Sequence, residues 1–304
     1  MLRSDSAPRR VLVTGASGFT GRYVADALAA QGDLALALTE RPGDPGARSV
    51  DLRDRAAVAS SVAAAAPDAV IHLAAIPFVA HGDADAMYRT NVVGTRNLLE
   101  ALSTLPRVPD AILLASSANV YGNNAVEFLH ESVPPSPAND YAVSKLAMEY
   151  MANLWAEKLP LTLVRPFNYT GIGQAEHFLI PKIVSHFRRG DRIIELGNLK
   201  VSRDFQDVRF VAQSYASLLD ADSAGSVVNV CSGESVSLLE IVAMMEDIAG
   251  YKIDVRVNPA FVRGNEVAKL TGDNSRLRSL IGPLDIIPLR KTLEWMYASR
   301  SDDR

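Results

Sequence analysis

Tyr141 and Lys145 stand four residues apart in a stretch, Tyr141–Lys158, whose pattern is helical, so both side chains leave one face of a helix. A phenol beside an ammonium group is a proton donor. Tyrosine alone is too weak an acid near neutral pH, and an adjacent cation lowers its pKa. Ser117 follows the apolar run Ala111–Ala115, at the carboxyl edge of a predicted strand. Its hydroxyl can donate a hydrogen bond to an oxygen that gains negative charge. The three side chains together suit carbonyl reduction, with a proton delivered at oxygen while a hydride reaches carbon. The hydride itself must come from elsewhere.

A place for its carrier is written near the N-terminus. Arg10–Gly21 reads as a strand, a glycine turn and a helix start. Gly15 permits a tight turn, Gly18 lets backbone approach a diphosphate, and Gly21 lets the helix pack on the strand. The helix start offers N–H groups and positive dipole to the phosphates. The spacing G-x-x-G-x-x-G differs from the commoner dinucleotide fingerprint. With a nicotinamide dinucleotide bound, Lys145 also serves to hold the nicotinamide ribose. At the end of the second strand, Thr39 and Arg41 favour the 2′-phosphate of NADP(H), whereas Glu40 leaves NAD(H) open through the ribose hydroxyls. Asp51–Leu52 follows the third short strand; the carboxylate there either accepts from the adenine amino group or caps the next helix. Asn91 has three readings: a clamp on strand backbone, a partner for a proton-relay water, or a plain helix-surface residue.

These residues need a scaffold that brings strand ends together. Apolar runs at Val11–Val13, Leu34–Leu38, Ala69–Leu73, Ala111–Ala115 and Leu161–Val164 alternate with helical stretches at Gly21–Ala30, Ala56–Ala65, Met87–Leu102 and Tyr141–Lys158. Runs so apolar suit strands covered on both faces, and the alternation predicts an α/β fold, a Rossmann-type doubly wound parallel sheet. Right-handed crossovers follow. After Pro166 the rhythm is broken by Gly171, Gly173, Pro181, Gly190 and Gly197, which predicts a smaller C-terminal α/β lobe for substrate. The expected organisation is a flexible tail over 1–9, a dinucleotide-binding domain over 10–166, and a substrate lobe over 167–304. Within that lobe, elements at about 205–232, among them Phe210–Asp220 and Val227–Val230, return to the main sheet.

Composition narrows the class further. The 304 residues are 48% hydrophobic and 22% charged, as in an ordinary globular protein, with net charge −4. With no long basic run, nucleic acid and anionic membrane surfaces are poor partners. No apolar run is long enough to span a bilayer, and the polar first ten residues lack the core of a signal peptide. The single cysteine, Cys231, excludes an intrachain disulfide and suits a reducing cytoplasm; it reads as a small buried hydrophobe. Five scattered histidines and one cysteine give no metal-ligand spacing.

T-G-x-x-G-F-x-G at Thr14–Gly21, H-L-A-A at His72–Ala75, N-x-x-G-T at Asn91–Thr95, S-S-A-x-V-Y-G at Ser116–Gly122 and Y-x-x-x-K at Tyr141–Lys145 resemble the extended short-chain dehydrogenases/reductases, in their nucleotide-sugar branch. In the second half, Arg165–Asn168 with Gly171–Gln174, Gly197–Leu199, Ser202–Val208, Val228–Gly233 and Arg263–Val267 resemble the GDP-4-keto-6-deoxy-mannose reductases. The resemblance spans roughly residues 10–295. It implies that Ser17, Phe19, Thr20, Leu52, Leu73, Ala74, Ala75 and Pro166 join the glycines, Thr39, Arg41, Asp51, Asn91, Tyr141 and Lys145 around the cofactor. It further implies a GDP-linked keto-deoxy sugar gripped by Asn168, Lys182, Arg203, Arg263 and Glu266, with Ser117, Asn119 and Asn198 also on the substrate side. A homodimer through the 87–102 and 141–158 helices is implied as well. The chain departs from the family's pattern twice. Related dehydratases carry an acid two places after the catalytic hydroxyl, where this chain has Asn119. Where the reductases have a polar pair near the sugar, Ile76–Pro77–Phe78 follows the H-L-A-A motif. The competing expectations are an NAD-dependent 4-epimerase and a non-catalytic dinucleotide-binding sensor.

Overall fold

Each apolar run becomes a strand, and each amphipathic stretch a helix laid against it. The computed structural model describes residues 8–39, 48–77, 83–262 and 269–299. In its first half β1 (Arg10–Thr14), β2 (Leu34–Thr39), β3 (Arg48–Ser49), β4 (Ala69–His72), β5 (Ala111–Ala115) and β6 (Leu161–Pro166) alternate with α1 (Phe19–Ala30), α2 (Arg55–Ala65), α3 (Ala84–Tyr88), α4 (Thr95–Ser103) and α5 (Asp140–Asn153). In its second half come β7 (Asn168–Thr170), α6 (Leu179–Arg189), β8 (Ile193–Leu196), β9 (Ser202–Arg203), β10 (Phe205–Asp207), α7 (Val208–Leu218) and β11 (Val227–Val230). They are followed by β12 (Val236–Ser237), α8 (Leu238–Ala249), β13 (Asp254–Val257), β14 (Lys269–Leu270), α9 (Ser275–Ile281) and α10 (Leu289–Ala298).

Seven strands form one parallel sheet in the order β11-β6-β5-β4-β1-β2-β3. Side chains alternate along β1: Val11 and Val13 enter one core with α1 and α7, while Leu12 enters the other with α2, α4 and α5. Burial on both faces explains the near-continuous apolar runs. The strand order reverses between β1 and β4, which opens a crevice at the carboxyl ends of the strands. A third core joins Ile183 and Phe187 of α6, Ile194 of β8, Ile241 of α8 and Leu293 of α10.

Three boundaries differ from the sequence reading. Met87–Leu102 is not one α-helix: residues Arg89–Gly94 form a π-helical stretch between α3 and α4. Such widened turns are rare and concentrate at functional sites. The Tyr141–Lys158 helix stops at Asn153, after which i→i+3 bonds such as Trp155 N–H to Ala152 O tighten the chain ahead of Pro160. Arg9, placed in a flexible tail, is anchored: its guanidinium pairs with Asp33 at 2.5 Å and Asp220 at 2.8 Å. Phe210–Asp220 and Val227–Val230 correspond to α7 and β11, which pack on and extend the main sheet.

Candidate active site

The glycine turn is as tight as its composition requires. Gly15 has φ +69°, and a Cβ there would stand 2.9 Å from the Ala74 backbone nitrogen. At Gly21 a Cβ would fall 2.3 Å from the Gly15 carbonyl oxygen, so α1 lies directly on the turn. Gly18 stands at the start of α1 and makes no side-chain cap to its first turn. A cradle of this shape fits a diphosphate. Several neighbouring side chains are already engaged. Ser17 Oγ and Thr39 Oγ1 share a 2.6 Å hydrogen bond, Thr20 Oγ1 and the Tyr169 hydroxyl one of 2.9 Å, and the Phe19 ring stacks on Tyr169. Glu40 and Arg41 lie outside the described residues.

Asp51 is bound bidentately by Arg53, whose hydrogen bonds hold its carboxyl below the usual range. It does not cap α2; Asp54 does, accepting from the Ala56 and Ala57 N–H groups. Two acids three apart before one helix made the wrong one plausible. The Leu52 side chain is buried under Gly94, and its carbonyl accepts from Asn97 Nδ2 at 2.9 Å.

Behind the crevice runs a buried chain of hydrogen bonds. Thr14 Oγ1 accepts from the Ala74 N–H and lies 2.6 Å from His72 Nδ1; His72 Nε2 lies 2.8 Å from Thr95 Oγ1, which donates to the Asn91 carbonyl. Because the Thr95 proton is spent on Asn91, Thr95 must accept from His72 Nε2–H. In the neutral imidazole Nδ1 is then the acceptor for the Thr14 hydroxyl. Burial, aided by the charge on Lys145, lowers the His72 pKa to about 3. The Asn91 side chain holds both backbone polar groups of Ile76, at 2.8 and 3.2 Å, and donates to Ser144 Oγ at 3.0 Å. Ser144 donates to the Tyr141 carbonyl at 2.8 Å. Asn91 is buried, not a helix-surface residue, and the backbone it clamps is that of Ile76 in the loop after β4, not that of a strand. The clamp ties the loop after β4, with Leu73, Ala74 and Ala75, to the start of α5.

Ser117 and the two α5 residues meet at the carboxyl end of β5. Burial, and with it the nearby Tyr169, raises the Tyr141 phenol above its usual value, against the smaller opposing effect of the Ser117 hydroxyl. Lys145 Nζ is buried and donates to the Ala115 carbonyl at 2.7 Å. Burial brings its pKa down to about 8, against the opposing charge of Glu149. A phenol that resists ionisation keeps its proton until an acceptor arrives, and a nearby ammonium favours the phenolate left behind. Tyr169, which touches Thr20, Phe19 and the environment of Tyr141, was missed by sequence reasoning; its position one residue after Asn168 was the available signal.

The predicted substrate residues are more dispersed. Asn119, half-buried, donates its backbone N–H to Ser117 Oγ. Asn168 is exposed on β7, beside β10, just beyond Pro166 at the end of β6. Lys182 Nζ donates to the Glu195 carbonyl at 2.7 Å and stands over the Phe261 ring at 4.2 Å. Arg203, on β9, donates to the Ser202 carbonyl, and Asn198 lies in the turn between β8 and β9. Arg263 and Glu266 lie outside the described residues. Cys231 is fully buried, and among the described residues no helix is long and apolar enough to cross a membrane.

Comparison with known proteins accords with this geometry. A model of the NAD dependent epimerase/dehydratase family matches residues 11–231. The GDP-6-deoxy-D-talose 4-dehydrogenase of Aggregatibacter actinomycetemcomitans is 33% identical, covering 96% of this chain and 98% of its own. The GDP-6-deoxy-D-mannose reductase of Pseudomonas aeruginosa is 35% identical, over 94% of this chain and 95% of its own. Among solved structures, a putative epimerase from Burkholderia cenocepacia superposes with TM-score 0.89 at 51% identity, covering 96% of this chain and 98% of its own. The Pseudomonas aeruginosa protein RMD, complexed with NADPH, superposes with TM-score 0.83 at 33% identity, over 95% and 96%.

Proposed function

This chain belongs to the NAD-dependent epimerase/dehydratase family, and from that membership we propose that it reduces the C4 keto group of a GDP-linked 4-keto-6-deoxy sugar with NAD(P)H. The observation that carries the reading is the meeting of Ser117, Tyr141 and Lys145 at the end of β5, with a neutral amide at Asn119. The nicotinamide cofactor supplies the hydride. Ser117 donates a hydrogen bond to the carbonyl oxygen, Tyr141 delivers the proton to that oxygen, and the Lys145 charge stabilises the resulting phenolate. Gly15, Gly18 and the start of α1 hold the diphosphate, with Asn91 fixing the loop that carries Ala74 and Ala75. Asn119 offers no acid to expel a 6-hydroxyl, which sets the reaction apart from dehydration.

Both curated relatives are named for redox chemistry on GDP-6-deoxy sugars, and this supports the choice of nucleotide and sugar. Asn168, Lys182, Asn198, Arg203, Arg263 and Glu266 are the residues we assign to the nucleotide diphosphate and sugar. NADPH is the favoured reductant, through Arg41 and Thr39, in keeping with the NADPH complex of the Pseudomonas protein. We place the enzyme in the cytoplasm, as a homodimer through the 87–102 and 141–158 segments, where Val93, Val143, Tyr150 and Leu154 are exposed. A second reading, a 4-epimerase, draws on the solved Burkholderia structure described as a putative epimerase. Purified protein given a 4-keto-6-deoxy-mannose GDP substrate and NADPH, then NADH, separates the two. Stoichiometric loss of nicotinamide absorbance is the expected result. No loss of absorbance on the keto sugar, with NAD copurified and the C4 alcohol of a GDP-sugar inverted without added cofactor, would favour the epimerase.

A further inference from the structure

Two consecutive residues at the end of β5 are joined to two residues one helical turn apart on α5. The Ala115 carbonyl accepts from Lys145 Nζ at 2.7 Å, and Ser116 Oγ donates to Glu149 Oε1 at 2.5 Å. Glu149 is one turn beyond Lys145 on the same face and nine-tenths buried or more. Its carboxylate is taken bidentately by Arg165 of β6, at 2.9 and 2.6 Å, and that guanidinium lies over the Tyr121 ring at 4.8 Å. An ion pair buried this deeply costs desolvation that a pair of apolar side chains would avoid. Its placement beneath the site suggests what it is for.

We propose that Glu149 is a positioning residue for the reductase chemistry, fixing the register of α5 against Ala115 and Ser116 and supplying the negative charge that keeps Lys145 an ammonium. The proposal rests on the reading of Lys145 as part of the reacting set. The ionisable groups whose charge bears on Lys145 are His72 from β4, neutral, and Glu149 from α5; Tyr141 stands one helical turn before it on α5, and Arg165 from β6, lying over the Tyr121 ring, pairs with Glu149. Of these, Glu149 is the group whose charge raises the proton affinity of Lys145, in opposition to burial. Arg165 and Ser116 keep its two oxygens oriented. Without the carboxylate, the ammonium would lose its proton inside the working pH range, and Tyr141 would lose the charge that favours its phenolate.

The test reads Lys145 directly. Protein carrying 13C-labelled lysine is titrated by NMR, with Lys145→Arg to assign the signal, and the pH profile of kcat is recorded in parallel. Glu149→Gln should lower the Lys145 midpoint by about one pH unit, a tenfold loss of proton affinity. The alkaline limb of kcat should move with it, while KM changes little. Glu149→Asp, which keeps the charge, should bring the midpoint back toward the wild type. Because Glu149→Gln strands a buried guanidinium, Glu149→Gln with Arg165→Met, read against Arg165→Met alone so that the lost guanidinium charge cancels, serves where the single variant fails to fold, and Ser116→Ala, the loss of one hydroxyl, should give a smaller shift of the same sign. An unchanged Lys145 midpoint in the folded variants would overturn the proposal. The NMR titration needs no turnover, so a failure of the proposed substrate to react and a failure of Glu149 to hold the Lys145 proton are told apart.

Discussion

His72 turns acid into a probe of the crevice. Its imidazole is neutral in the folded chain, with a pKa of about 3, against the ordinary value of 6.5 expected after unfolding. Between those values the unfolded chain binds the extra proton and the native one does not, so stability rises with pH across that window and falls as pH is lowered. Integrating the two binding curves, His72 alone removes about 2 kcal/mol between pH 7 and pH 5. That interval lies mostly above the titration of ordinary carboxylates. The perturbation is therefore mild acid, and the control is His72→Gln, which keeps a donor toward Thr95 and removes the titration. Urea-unfolding midpoints for both proteins at pH 7 and pH 5 give the assay. The variant should be less stable at pH 7, yet lose about 2 kcal/mol less than the wild type on going to pH 5. Equal losses in the two proteins, or a His72 imidazole that titrates near 6.5 by NMR, would refute the hydrogen-bond assignment from Thr14 to Thr95.

Other consequences follow from the same contacts. Tyr141→Phe removes the proton donor but not the packing, so turnover should fall by about a thousandfold or more while NADPH affinity, measured by fluorescence, is nearly unchanged. Gly21→Ala drives a methyl group to 2.3 Å from the Gly15 carbonyl oxygen; NADPH binding by calorimetry should weaken at least about tenfold, with a stability loss of about 1–3 kcal/mol. Asn91→Ala releases Ile76 and Ser144 together, and kcat should drop about tenfold, with a melting-temperature loss consistent with about 1–3 kcal/mol. Leu154→Asp, at a position 82% exposed just past the end of α5, should convert the proposed dimer to a monomer in analytical ultracentrifugation while leaving the monomer folded.

The parts of the site that were legible in the sequence are those whose chemistry depends on local spacing. Glycines at Gly15, Gly18 and Gly21 can be read because a turn and a helix start use neighbouring residues, and Tyr141 and Lys145 because a helix repeats every few residues. The parallel sheet followed from apolar runs buried on both faces, as at β4. Long-range pairings were not legible. His72 gains its role from Thr14, 58 positions earlier, and from Thr95; nothing in a four-residue window announces either partner. Glu149 pairs with Arg165 across two elements, and Asp51 competes with Asp54 for the same helix start, a contest that three-dimensional contacts decide. The π-helical stretch at Arg89–Gly94 was hidden because its residues carry the same apolar pattern as an α-helix.

The reductase assignment is tested most directly by following the hydride. NADPH deuterated at the reactive position of the nicotinamide, prepared in each of its two stereochemical forms, is supplied with the 4-keto-6-deoxy-mannose GDP substrate, and the sugar product is examined by mass spectrometry. A reductase gives a product one mass unit heavier from one of the two forms, with deuterium at C4 and one equivalent of NADPH consumed. A product without deuterium from either form, made with no net consumption of cofactor, would contradict the assignment.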